Sequence, residues 1–109
     1  MKTFDINNIQ LKIQSPDVHV NEELNTYILG QIEKLGKTFS RIERCEMMLK
    51  AEKNSKNQNC QIEGKLFVPG QVLFASSKSD HFRMAAKMMF EDLHDQLYSF
   101  KEKMTDKTI

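Results

Sequence analysis

Ile9-Gln10-Leu11-Lys12-Ile13-Gln14 alternates apolar and polar side chains, the period of a strand with one buried face. Ser15-Pro16-Asp17 is turn chemistry and ends that run. Val18 and Val20 flank His19 in a short extended step. Asn21 suits a helix N-cap, because its side-chain carbonyl can accept a free backbone N–H. Glu22 and Glu23 then meet the positive end of the helix dipole. Leu24, Tyr27, Ile28, Ile32 and Leu35 recur at helical spacing, and Gly36 is the expected stop. Three strand-like runs follow. The first, Ile42 to Glu52, places Cys45, Met47, Leu49 and Ala51 on one parity. Asn54 to Asn59 is polar throughout and reads as a hairpin loop. In the second run Cys60, Ile62, Leu66 and Val68 share a parity, with Gly64 expected at a bulge. Pro69-Gly70 is a type II turn signal, and Val72 to Ser77 is the third run.

Ser79 or Asp80 is placed to cap a second helix, expected over about residues 81–103. Phe82, Ala85, Ala86, Met89, Leu93, Leu97 and Phe100 form its apolar stripe. At about 100° per residue, Arg83, Lys87, His94, Tyr98 and Lys101 stack on one flank of that stripe. Met84, Met88, Asp92, Asp95, Ser99 and Glu102 stack on the other. The order β-α-β-β-β-α, with two single-faced helices, predicts a two-layer α+β fold. A four-stranded sheet carries both helices on one face. The other sheet face stays partly open to water and holds Met48 and Phe67. Residues 1–109 form one domain, with a core over about 9–104 and loose ends at 1–8 and 105–109.

Composition narrows the class. A chain of 109 residues has room for one core, and no apolar run nears the roughly 20 residues of a membrane helix. The N-terminus lacks the apolar segment of a secretory signal, and two cysteines are too few for a disulfide scaffold. The expected compartment is the cytoplasm, with Cys45 and Cys60 reduced and buried. Lys plus Arg is 16 against 15 Asp plus Glu, so bulk charge cannot hold a nucleic acid. The distribution is uneven, however. Residues 34–56 carry Lys34, Lys37, Arg41, Arg44, Lys50, Lys53 and Lys56 against Glu43, Glu46 and Glu52. A cationic segment of this kind can be a solvated face or a phosphate-binding surface.

Catalytic chemistry finds little footing. Cys45 and Cys60 lie on the apolar parity of strands, as core cysteines do. Gly30, Gly36, Gly64 and Gly70 are scattered and form no phosphate loop. Glu91 and His94 make one Glu-x-x-His pair, where a di-iron bundle needs two pairs and further carboxylates. No enzyme, cofactor, metal or small-molecule substrate is expected.

Ile9-Gln-Leu-Lys-Ile-Gln-Ser-Pro-Asp-Val-His-Val-Asn-Glu-Glu-Leu24 resembles the opening strand and helix cap of the ribosome hibernation-promoting factors, the sigma-54 modulation protein family. The resemblance continues through Lys34-Leu35, Phe39-Ser-Arg-Ile42 and Leu49-Lys-Ala-Glu-Lys53. It resumes at Phe74-Ala-Ser-Ser77, Asp95-Gln-Leu97 and Lys101-Glu-Lys103, and so covers about residues 9–104. It implies a short-form, non-enzymatic factor whose fold is similar to the double-stranded-RNA-binding domain. Such a factor occupies the messenger and transfer RNA channel of the small ribosomal subunit and contacts ribosomal RNA. Positions matching the family's basic residues are Lys34, Arg41, Lys50, Lys53, Lys101 and Lys103. With Lys37, Arg83 and Lys87 from the charge pattern, these are the expected RNA-binding residues. Lys34, Lys37, Arg41, Lys50, Lys53, Arg83, Lys87 and Lys101 are expected to form one continuous surface. The chain departs from the family at Asp92 and Asp95, where basic residues are common, which implies a weakened RNA surface. A protein-interaction domain on the same fold, without ribosome binding, is the alternative reading.

Overall fold

The structure is a computed structural model that describes residues 2–52 and 59–106, the side chains of 105 and 106 apart. Its elements are β1 (Lys2–Ile6), β2 (Ile9–Gln14), α1 (Glu22–Thr38), β3 (Arg44–Ala51), β4 (Cys60–Val68), β5 (Gln71–Ser79) and α2 (Phe82–Asp106). They form an α+β fold with one mixed sheet in the order β1-β2-β3-β4-β5. Only β2 and β3 run parallel, because α1 carries the chain back between them; the other neighbours are antiparallel.

The sheet has five strands rather than the expected four. Lys2–Ile6 was expected to be loose, yet it pairs with β2, with Ile6 opposite Ile9 and Phe4 opposite Leu11. Asn7 and Asn8 make the connection with φ of 49° and 70°. Positive φ at both central residues is the type I′ hairpin turn, and Asn tolerates it. Phe4 and Ile6 are half-buried against the core, so this edge strand is held by its side chains as well as its ladder. At the other end, α2 runs to Asp106 and takes in part of the expected loose tail. The expected polar loop over 54–59 lies almost wholly outside the described residues.

Local chemistry accounts for the element ends. The Asn21 side chain accepts the Leu24 N–H at 2.8 Å, as expected of an N-cap. Helix α1 does not stop at Gly36 but continues to Thr38, and the Phe39 N–H donates to the Leu35 carbonyl. Phe39 is buried, with its ring edge-on to Phe100 at 5.6 Å, so a tertiary contact sets this helix end. α2 begins at Phe82, with His81 between it and the expected caps Ser79 and Asp80. The Ser79 hydroxyl accepts from the His81 N–H, and the first turn of α2 closes on the His81 carbonyl. Pro69-Gly70 forms the expected hairpin, with Gly70 at φ 81° between Val68 and its partner Gln71. No bulge forms at Gly64, which sits in regular register between Met47 and Ala75. A Cβ there would lie 2.7 Å from the Met89 sulfur, so its missing side chain lets α2 approach the sheet closely.

Both helices lie on one face of the sheet. Ile9, Leu11, Ile13, Cys45, Met47, Leu49, Ile62, Leu66, Leu73 and Ala75 are buried beneath them. Each Leu or Ile buried in this way contributes about 1.5–3 kcal/mol by removal from water. Both cysteines are free and buried. Phe90, which lies outside the expected α2 stripe, is also buried, because α2 packs against α1 as well as against the sheet. No helix of the described residues is long and apolar enough to cross a membrane.

Candidate nucleic-acid interface

The two helices run side by side in the same direction, and their contacts mark the line between them. The Arg83 guanidinium lies 3.9 Å over the Tyr27 ring near the start of both helices. Farther along, His94 Nε2 and the Thr38 hydroxyl are 3.0 Å apart. Beyond them Phe39 meets Phe100. Tyr27 and Thr38 are eleven residues apart, and so are Arg83 and His94, which is three helical turns in each case. A groove therefore follows the seam, with α1 on one bank and the Arg83–Lys101 flank of α2 on the other.

The far end of the groove is cationic. Lys37, Thr38, Phe39, Ser40, Arg41, Lys101 and Met104 line an open cleft of about 440 Å³ there. Lys37 comes from the last turn of α1, Arg41 from the loop after it, and Lys101 from α2, so three separate stretches supply the cations. Lys37 also reaches Glu33 at 3.9 Å, an exposed pair that restrains it little. Lys34 shares the helical phase of Tyr27 and Thr38, and its carbonyl accepts from the Thr38 hydroxyl. Lys87 stands one turn beyond Arg83 on the same flank of α2 and is exposed. The near end has the opposite character. Glu22, Glu23, Thr26, Tyr27 and Arg83 line a second cleft, so Arg83 sits among carboxylates.

The expected surface of eight cations is thus divided. Lys37, Arg41 and Lys101 come together, with Lys34 and Lys87 along the same seam. Arg83 belongs to the acidic end. Lys50 is on the opposite face of the sheet, where it pairs with Glu63 at 3.5 Å. Strand parity is the reason: in β3 the buried Leu49 faces the helices, so Lys50 must face away. Lys103 lies across α2 from Lys101, in a cleft with Gln71, Leu73, Asp95 and Gln96. Lys53 is outside the described residues. The carboxylates at Asp92 and Asp95 stand on that outer flank of α2, away from the groove. Their charge therefore bears on the cationic cleft far less than the sequence suggests.

The remaining titratable candidates are structural. Burial, and to a lesser degree the Glu46 charge, push the Cys45 thiol from 9.0 up to about 12. Burial and Asp80 raise the Cys60 thiol, which lies 3.6 Å from the Asp80 carbonyl. Neither is a nucleophile near neutral pH. His94 is turned to Thr38 rather than to Glu91, and among the described residues no three His, Cys, Asp or Glu side chains converge on a metal position.

A sheet with two helices on one face, 84 % of this chain, superposes on a ribosomal subunit interface protein from Coxiella burnetii with a TM-score of 0.74. That match covers 97 % of the other chain at 14 % identity. The N-terminal domain of Protein Y from Thermus thermophilus aligns with a TM-score of 0.70 over 85 % of this chain and 98 % of its own, at 16 % identity. These likenesses define the fold class. The chain belongs to the family described as sigma 54 modulation protein / S30EA ribosomal protein, whose model matches residues 11–105. It is similar to the ribosome hibernation promoting factor of Pseudomonas putida, 25 % identical over 95 residues that cover 87 % of this chain and 89 % of the relative. The factor of the same name from Azotobacter vinelandii is 25 % identical over 99 residues, covering 91 % and 89 %.

Proposed function

We propose that this protein is a cytoplasmic ribosome hibernation factor. It binds the small ribosomal subunit in the channel used by messenger and transfer RNA, and it acts by occupancy rather than by chemistry. The reading is supported by membership of a family of ribosome-associated factors, which are not enzymes, and by relatives named for ribosome hibernation. The observation that carries it is the convergence of Lys37, Arg41 and Lys101 on one open cleft at the end of the interhelix groove. Cations brought together from separate stretches suit phosphates of a folded RNA, which are arranged by shape rather than by sequence. Likeness to the double-stranded-RNA-binding domain enters at that level, as two helices on one sheet face offered to phosphates. Lys34 and Lys87 extend the contact along the seam. Screening over about 8 Å lets this cluster act locally despite the near-neutral whole.

Co-sedimentation with small ribosomal subunits tests the proposal. The native chain binds at roughly 50 mM salt and loses most of its binding by roughly 200 mM, as counterion release requires. Lys37→Ala with Arg41→Ala weakens binding and flattens the salt dependence by roughly 0.7–0.9 in logarithmic slope per lost phosphate contact. Native-like binding by the double variant would remove the groove from the site. Failure of the native chain to sediment at low salt would favour the protein-interaction domain instead.

A further inference from the structure

Among the described residues no element covers the sheet face away from the helices, and its side chains form an ordered pattern that the groove does not use. Arg44 lies 3.8 Å over the centroid of the Phe67 ring, and its Nε donates to Glu46 at 3.2 Å. The guanidinium is thus held over the ring from two sides, while the Arg44 side chain stays 43 % exposed. On β5, Phe74 is 49 % exposed. Phe67 is opposite Val72 and Lys65 is opposite Phe74, so the two rings are diagonal neighbours, roughly 7–8 Å apart. Lys12, Glu46, Lys65 and Phe74 follow one another across four strands in a single row. Lys12 and Lys65 border an open pocket of about 190 Å³, and neither has a polar partner among the described residues. Glu46 and Glu63 line the same pocket, but each is paired with another cation, Glu46 with Arg44 at 3.2 Å and Glu63 with Lys50 at 3.5 Å.

We propose that this open face is a second binding surface, for unpaired RNA, with one base stacked on Phe74, the next on the Arg44 guanidinium, the phosphate between them over Lys65 and the following phosphate toward Lys12. Every base has a flat π face, so aromatic and guanidinium platforms flanked by cations suit single strands of any sequence. A protein partner fits less well. Protein interfaces have an apolar centre depleted of charge, whereas here Arg44, Glu46, Lys65 and Lys12 stand beside Phe67, Val72 and Phe74. The surface is on the opposite side of the sheet from the interhelix groove, so the two are separable by mutation. This assignment stands independently of the groove.

Anisotropy of a labelled oligouridylate at low salt tests it, with circular dichroism confirming that each variant is folded. In a Lys37→Ala/Arg41→Ala background, which disables the groove, binding of the single strand persists. Adding Phe74→Leu, which keeps an apolar side chain but removes the π face, weakens it about tenfold, the range of one lost base stack. Lys12→Ala with Lys65→Ala weakens it further and reduces its salt dependence. Unchanged affinity in Phe74→Leu overturns the proposal, as does loss of all binding in the groove-disabled background. A blunt RNA duplex that competes as well as the single strand also overturns it, because paired bases cannot reach the platforms.

Discussion

Gly30 and Gly64 are both interior to regular elements, yet replacing them has opposite consequences. Gly30 is in α1 with nothing within 4 Å of where a Cβ would be. Gly30→Ala therefore raises stability by about 0.5–1 kcal/mol, read as a higher urea midpoint. At Gly64 the new methyl meets the Met89 sulfur at 2.7 Å and Leu93 at 3.3 Å, both fully buried, so the Met89 end must shift within a packed core. Gly64→Ala loses about 1–3 kcal/mol, and combining it with Met89→Ala costs less than the sum of the two single changes. Cys45 ties stability to alkaline pH. Its folded thiol ionises at about 12 and the unfolded one near 9.0. Above pH 9 the unfolded state binds fewer protons, so stability falls with rising pH until the folded thiol also ionises. Chemical denaturation at a series of alkaline pH values shows this fall, and Cys45→Ala makes it shallower. The raised Cys60 thiol contributes in the same direction.

At the scale of elements, the ends are held by different means. Asn21 caps α1 through one side-chain hydrogen bond, so Asn21→Ala costs about 1 kcal/mol in thermal or urea unfolding. The other end of α1 is set by Phe39 against Phe100, a contact between residues 61 positions apart in the chain. The β5 edge of the sheet is protected by α2, whose Gln96 amide donates to the Phe74 carbonyl at 2.7 Å. That bond occupies an outward backbone acceptor that another strand could otherwise use. At the opposite end β1 is itself the edge strand, and it covers β2 along its whole length except the last residue, Gln14.

For the whole molecule, the sheet separates cations that are near one another in sequence. Arg41 and Lys50 are nine residues apart, yet one is at the groove and the other is on the open face beside Glu63. The helix α2 separates charges in the same way, with Lys101 on the groove side and Asp95 on the outer flank. Ribosome sedimentation should register this division. Asp95→Lys and Lys37→Glu each change the net charge by two units, but Lys37→Glu weakens binding strongly whereas Asp95→Lys changes it by a small factor. Equal and opposite effects would mean that net charge, not the groove, governs the interaction.

Period and turn chemistry alone were enough for α1, α2, the strands β2 to β5 and the Pro69-Gly70 hairpin, because each is dictated by neighbours within a few residues. The same holds for the buried parity of Cys45 and Cys60 and for the cap at Asn21. β1 was also encoded, in the alternation of Thr3-Phe4-Asp5-Ile6 and in Asn7-Asn8, but the signal is short and a lone edge strand gains little until β2 is there to pair with. The fate of Gly36 and Gly64 depended on Phe100 and Met89, which are far away in the chain. Cationic residues could be listed from the sequence, and the flanks of α2 could be drawn. Which of them share a surface depended on strand parity and on two helices lying side by side, and that is decided when the core closes, not by local spacing.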